Sequence, residues 1–190
     1  MSHATSLRCR ECAATYPLEP RSICEECFGP VEVEYDLDRA RAQLTPEAVA
    51  AGPHSLWRYS ALLPADGPAV DLGAGFTPLR RAHRLGERLG LSDLWVKDDT
   101  GNPSGSFKDR VVSVAVSAAI RFGFEAVACP STGNLANATA AAAAAAGIPA
   151  YIFIPADLER AKIAATVAYG ATVVAVEGTY DDVNRLCSEI

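Results

Sequence analysis

The chain has 190 residues, 49% of them hydrophobic and 21% charged, with a formal net charge of -6. That composition is globular, with room for one core and a small satellite module, and its acidic balance argues against a nucleic-acid partner. The longest apolar run, the alanines ending at Ala146, is too short and too weakly hydrophobic to span a bilayer, and no charged n-region precedes an apolar stretch at the N-terminus, so a cytoplasmic location with no membrane contact is the default expectation.

The first element in chain order is a cysteine cluster. Cys9-x-x-Cys12 and Cys24-x-x-Cys27 are two pairs separated by eleven residues. In a chain of this kind clustered cysteines point to metal before disulfides. The segment resembles a zinc ribbon, in which each pair sits on a tight knuckle and four thiolates complete a tetrahedron around a structural zinc. Two disulfides are the alternative. Through Tyr35 there are three arginines and no lysine against six glutamates, a balance of -3 that is wrong for phosphate recognition. The small module is therefore expected to be structural, closing near residue 35 with Val31, Val33 and Tyr35 alternating along a strand.

Residues 36–75 read as a helical and connecting segment. Asp36 to Ala51 is compatible with helix, with Thr45-Pro46-Glu47 as a start signal. The stretch from Gly52 to Gly75 is rich in proline and glycine, yet it carries Leu56, Trp57, Tyr59, Leu62 and Leu63. A free linker has no use for such side chains, so this one should pack on the main domain.

Residues 76–190 form the third region, opening at Phe76-Thr77-Pro78-Leu79. Leu94-Trp95-Val96 reads as a short strand, followed by a turn and a helix from Val111 to Phe122. An alternation then begins: strand Ala126–Cys129, helix from about Asn134 to Ala146, strand Tyr151–Ile154, helix Leu158–Tyr169, strand Thr172–Val176 and helix from Tyr180. Strands alternating with helices imply right-handed crossovers, hence an α/β fold with a parallel sheet covered by helices on both faces. The seven consecutive alanines from Ala140 read as a helix packed tightly against that sheet. Cys129 and Cys187 read as small buried hydrophobes. His3, His54 and His83 have no metal spacing. Asp98 and Asp99 are neighbours on an extended segment, pointing to opposite faces, and form no carboxylate pair.

Two turns carry the chemistry. In Asn102-Pro103-Ser104-Gly105-Ser106-Phe107-Lys108-Asp109-Arg110, Ser106 to Asp109 reads as a capping box, with Ser106 as N-cap and an acid three residues on. Lys108 then falls in the first helical turn, where the dipole favours acids and penalises cations. An amine kept neutral there can attack a carbonyl. A phosphate loop of the G-x-x-x-x-G-K-[ST] kind is excluded by the spacing of Gly101, Gly105 and Lys108. Pro130-Ser131-Thr132-Gly133-Asn134 lies at the carboxyl end of a strand and the start of a helix, where open α/β sheets bind ligands.

The nine-residue lysine string resembles the cofactor-lysine motif of pyridoxal-phosphate enzymes of the tryptophan-synthase-β superfamily, in the form typical of its threonine-synthase family. The likeness extends to Thr77-Pro78-Leu79 and Ser131-Thr132-Gly133-Asn134, that is, from about Gly75 onward. It implies the second fold type of pyridoxal-phosphate enzymes, present in part. It also implies that Lys108 holds pyridoxal 5'-phosphate as an imine, that Asn134 bonds the cofactor's ring oxygen, and that Ser131 and Thr132 contact an amino-acid substrate. The reaction implied is loss of phosphate from O-phosphohomoserine and addition of water to give threonine, with Lys108 shuttling protons. A homodimer of the full-length enzyme is compatible with the resemblance.

Leu135 stands where these enzymes commonly carry a small hydroxyl residue, which leaves open another lyase of the superfamily: a serine/threonine dehydratase, or a cysteine or cysteate synthase. No glycine-rich loop follows Asn134 to cradle the cofactor phosphate, and no residue is available for the pyridine nitrogen. The expectation is an N-terminal portion of a longer enzyme, inactive alone. A non-catalytic module that keeps the ribbon for partner binding is the reading from a different class.

Overall fold

The computed structural model describes residues 1–68 and 70–190; Ala69, within the connector, lies outside the described residues. The chain opens with a three-stranded antiparallel sheet, ordered β2-β1-β3, of β1 (Ala4–Cys9), β2 (Thr15–Tyr16) and β3 (Val31–Tyr35). β3 is the strand expected from its alternation. β1 and β2 escape sequence reading because β1 runs straight into the first cysteine pair and β2 has only two residues.

The segment read as one helix-compatible stretch is two short helices, α1 (Leu37–Gln43) and α2 (Pro46–Ala51). Asp36 caps the first through Arg39 N–H, and Thr45 caps the second through Ala48 N–H, with Pro46 opening it. The connector forms a 3-10 turn over Leu56–Leu62 and packs as its side chains predict. Leu56, Trp57, Ala65 and Ala74 bury one another beside Leu63 and Val114, and Trp57 Nε1–H donates to Ser113 Oγ at 3.0 Å.

β4 (Leu79–Arg81), α3 (His83–Leu89) and β5 (Trp95–Lys97) follow. β4 and β5 pair antiparallel as a separate two-stranded sheet, so the strand before the lysine turn is not part of the parallel one. All six residues of that pair are exposed, which hides the hydrophobic pattern from which strands are read.

The remainder is α4 (Lys108–Arg121), β6 (Val127–Pro130), α5 (Asn134–Ala146), β7 (Ala150–Pro155), α6 (Arg160–Ala168), β8 (Thr172–Val176) and α7 (Tyr180–Glu189). β6, β7 and β8 form a parallel sheet in that order, with Cys129 opposite Ile152 and Phe153 opposite Val174. Helical crossovers are what parallel neighbours require. α5 and α7 each pack on β6 and β7. Cys129, Ala136, Ile152 and Ile154 form the sheet's core, while Val112, Val116, Ala138 and Ala142 join α4 to α5. Ala140 to Ala143 are all buried, so the alanine run is an interface where two backbones approach closely.

Candidate functional site

The lysine turn is assembled around Asn102, which is buried. Its Oδ1 accepts Gly75 N–H at 2.8 Å and its Nδ2 donates to Asp99 O at 3.0 Å, fastening the end of the connector to the turn. Gly105 N–H closes the turn on Asn102 O at 2.8 Å, with φ 79°, a left-handed conformation that favours glycine. Ser106 is buried and its Oγ accepts Lys108 N–H at 3.2 Å.

The expected capping box is not formed: Ser106 Oγ takes the N–H of Lys108 and not that of Asp109, and the helix is preceded by Phe107 with no side-chain cap. Asp109 is buried and turns instead to Ser104, accepting from its N–H and its hydroxyl, both at 2.9 Å. A carboxylate out of water takes the pair of donors nearest to it, and those lie on Ser104. Arg110 is also engaged. It grips Asp99 with two bonds of 2.8 Å and reaches Thr77 Oγ1 at 3.2 Å, while Thr77 donates to Asp99 at 2.8 Å. The Arg110 guanidinium, then the Thr77 hydroxyl, hold the Asp99 carboxyl below the usual carboxylate range. Asp99 begins a short 3-10 turn over Asp99–Gly101 rather than lying on an extended segment, and Asp98 faces Arg80 instead.

Asp109 and Arg110 are thus occupied by partners other than Lys108. Lys108 is half-buried, and among the described residues its amine meets no carboxylate, resting 4.9 Å above the Phe107 ring. No side chain caps the N-terminus of α5 at Gly133, and Asn134, the first residue of α5, is exposed. Ser131 and Thr132 are half-buried, with Ser131 Oγ accepting Gly133 N–H at 3.4 Å. Val111 and Val112 of α4, Leu135 and Thr139 of α5, and Cys129 and Pro130 of β6 line an apolar cavity of about 430 Å³, whose lining includes none of Lys108, Ser131, Thr132 and Asn134. Burial pushes the Cys129 thiol up to about 11, which makes it inert as a nucleophile. Cys187 is half-buried.

The four N-terminal cysteines converge. Their sulfurs all lie within 4.8 Å of one another, with Cys9–Cys27 and Cys12–Cys24 at 3.5 Å. A disulfide needs about 2.05 Å, so none is formed. Four thiolates about 2.3 Å from one ion stand about 3.8 Å apart, close to the separations seen. Gly29 closes over the cluster: a Cβ there would meet Cys9 Sγ at 3.2 Å and Glu11 Cγ at 2.7 Å. A hydrogen bond from Tyr16, with help from main-chain N–H groups, pulls the Cys24 thiol down to about 6. Gly29 N–H lowers Cys27, but the neighbouring Cys12 and Cys9 sulfurs outweigh it and push that thiol up to about 12. Main-chain N–H groups of Cys12 and Glu11 lower Cys9 as well, so two of the four sulfurs are favoured as thiolates and the other two are held protonated by their neighbours.

Sequence reading missed Tyr16, which a two-residue strand brings in, and the contacts of Asn102, Asp99 and Arg110. Asn102 and Arg110 lay in the lysine string and Thr77 in another, but neither string shows that Asn102 meets Gly75 or that Asp99 joins Arg110 to Thr77.

A family model described as pyridoxal-phosphate dependent enzyme matches residues 70–190, and the chain belongs to that family. The match contains both turns and begins after the four N-terminal cysteines. Among curated proteins, the threonine synthase of Methanosarcina acetivorans is 38% identical over 189 residues, 96% of this chain and 46% of its own length. That of Methanocaldococcus jannaschii is 36% identical over 178 residues, 92% of this chain and 44% of its own. The chain therefore spans less than half the length of these relatives. Among solved structures, the processed form of threonine deaminase isoform 2 from Solanum lycopersicum superposes with a TM-score of 0.56 at 30% identity, covering 60% of this chain and 31% of that one. O-ureido-L-serine synthase gives 0.53 at 28% identity, covering 60% and 37%. No helix among the described residues is long and apolar enough to cross a membrane.

Proposed function

We propose that the full-length protein is a threonine synthase, converting O-phosphohomoserine and water to threonine and phosphate, a carbon–oxygen lyase reaction. The observation that carries this reading is the extent of similarity: two threonine synthases align over 96% and 92% of the chain, whereas the threonine deaminase structure covers 60% of it. The residues present fit the aldehyde end of pyridoxal phosphate. Lys108 is a primary amine with its charged neighbours already engaged, and Asn134 stands exposed at an uncapped helix N-terminus. When bound, the cofactor supplies an electron sink conjugated to the substrate α-carbon.

The chain's own residues do the rest. Lys108 Nζ would hold the cofactor and, when free, would carry protons at the substrate Cα and beyond. Asn134 would bond the cofactor's ring oxygen. Ser131 and Thr132 offer hydroxyls, and the free N–H groups of the first turn of α5 offer donors, to the substrate's anionic groups. The four cysteines hold one structural zinc; a closed thiolate set leaves no open position for chemistry.

The test is phosphate release from O-phosphohomoserine by the full-length protein, with 2-oxobutyrate formation from threonine followed in parallel. Threonine formation, lost in Lys108→Ala together with the visible absorption of bound cofactor, is the expected result. Borohydride should fix the cofactor on Lys108. Reduction onto Lys97, or 2-oxobutyrate as the sole product, overturns the assignment.

A further inference from the structure

We propose that Tyr16 is the outer partner of the cysteine site, its hydroxyl holding the buried Cys24 sulfur as a thiolate ligand. The proposal rests on the reading of that cluster as a metal site. Cys24 is 0% exposed, so water cannot solvate charge on its sulfur and a protein donor must. Tyr16 Oη lies 3.1 Å from Cys24 Sγ. A second contact is compatible with that direction: Glu25 N–H donates to the same oxygen at 3.1 Å, occupying one lone pair and leaving the phenolic proton free. A sulfur that ligates a metal as thiolate has no proton of its own, so between the two the hydroxyl is the donor. Glu26 N–H adds a weaker donor at 3.4 Å.

Cys9, the other buried sulfur, is served by main-chain N–H groups of Glu11 and Cys12. Among the described residues Cys24 alone in the cluster receives a side-chain hydroxyl. Four thiolates around a divalent ion carry a net charge of -2, and each donor to sulfur offsets part of it. Arg21 sharpens the donor. Its guanidinium sits 4.4 Å over the Tyr16 ring, held there by Glu19 at 2.6 Å and Glu25 at 2.7 Å, and a cation over the ring draws density from the phenol. Tyr16 thus ties β2, the second knuckle and the ligand together, as outer partners of metal ligands do.

The experiment uses the full-length protein loaded with cobalt(II), whose absorption reports tetrahedral thiolate ligation, and with zinc titrated against a competing chelator. Tyr16→Phe keeps the ring and removes the donor. Its expected effect is a loss of zinc affinity of about 10- to 100-fold, the usual range for an outer partner, with a shifted thiolate-to-cobalt band but unchanged tetrahedral intensity. Arg21→Gln, which leaves the hydroxyl, should shift the band in the same direction and lower affinity by about two- to fivefold. Should Tyr16→Phe fail to fold, Arg21→Gln decides: no loss and no shift there overturns the proposal. If wild type shows the thiolate spectrum and Tyr16→Phe matches it in affinity and band, Tyr16 has no such role while the metal site stands. If wild type binds cobalt without thiolate bands, the metal reading itself fails, and this proposal with it.

Discussion

In the N-terminal sheet the buried residues are Leu7, Cys9, Cys24 and Gly29, so half of its interior consists of cysteine sulfurs aimed at one point. In the parallel sheet the interior is aliphatic: Ile152, Ile154 and Ala136 pack around Cys129, and the alanine face of α5 lies against α4. The first region has too little apolar area to offset the entropy of ordering some 35 residues and must draw on something besides burial. The second has a core of ordinary kind. The same chemical group shows the contrast. Cys24 lies under hydroxyl and amide donors that favour its thiolate, whereas Cys129, on an apolar sheet, has its thiol pushed up to about 11.

If the four cysteines hold zinc as proposed, removing it is the largest perturbation this comparison predicts. Structural zinc contributes an apparent ~10 kcal/mol or more in small thiolate sites, far above what Leu7 alone provides. Chelation, or Cys24→Ser, should therefore abolish amide protection across β1 to β3 while amides of β7 and α5 exchange as before. Hydrogen exchange resolved by residue is the measurement. Loss of protection in both regions would show that the two share one cooperative core.

A change of the opposite kind should touch only the second region. Ala143 is 0% exposed on α5, where helix and neighbours are separated by no more than a methyl group. Ala143→Leu adds three carbons to that gap, and overpacking of this kind costs about 1–3 kcal/mol. The expected result is a lower denaturation midpoint for the α/β region, with metal content unchanged. An unaltered midpoint would mean that the alanine face packs more loosely than its burial indicates.

The parts most legible in the sequence are those whose local and tertiary demands agree. α5 spans Asn134 to Ala146 and β8 spans Thr172 to Val176, as read from the apolar run, the strand pattern and the glycines that stop each helix. Gly147 and Gly170 both have the positive φ that such a stop uses. β4 and α3 were not legible, because their exposed, charged residues carry no periodicity of burial. The capping box failed for a related reason. The spacing from Ser106 to Asp109 is right, but the two donors of Ser104 compete for the same carboxylate, and spacing says nothing of competitors. Of the site, the lysine and the Ser131–Asn134 turn were visible as strings, while the contacts that prepare them join residues far apart in sequence, as Asn102 does with Gly75.

The smallest predicted effect lies where the lysine helix meets the segment leading into β4. Asp99 links Arg110 of α4 to Thr77, so it helps fix the angle at which Lys108 is presented. Its folded-state pKa is depressed, by Arg110 first and Thr77 next. The sign follows directly: the ionised form is favoured by folding, so its contribution is fully present above the ordinary carboxylate value of 3.8 and fades as pH falls through the lower folded value. Both side chains are about one-third exposed, at 33% for Asp99 and 31% for Arg110, so water and salt screen the pair and its contribution is modest. Asp99→Asn should then lower stability by a constant small amount from neutral pH down to about pH 5, above which the ordinary carboxylate is ionised in both states. Below the ordinary carboxylate value the wild type and Asp99→Asn curves should converge, and added salt should narrow the gap at neutral pH. Parallel curves at every pH would show that Asp99 acts through its hydrogen bonds to Thr77 and Arg110 and not through its charge.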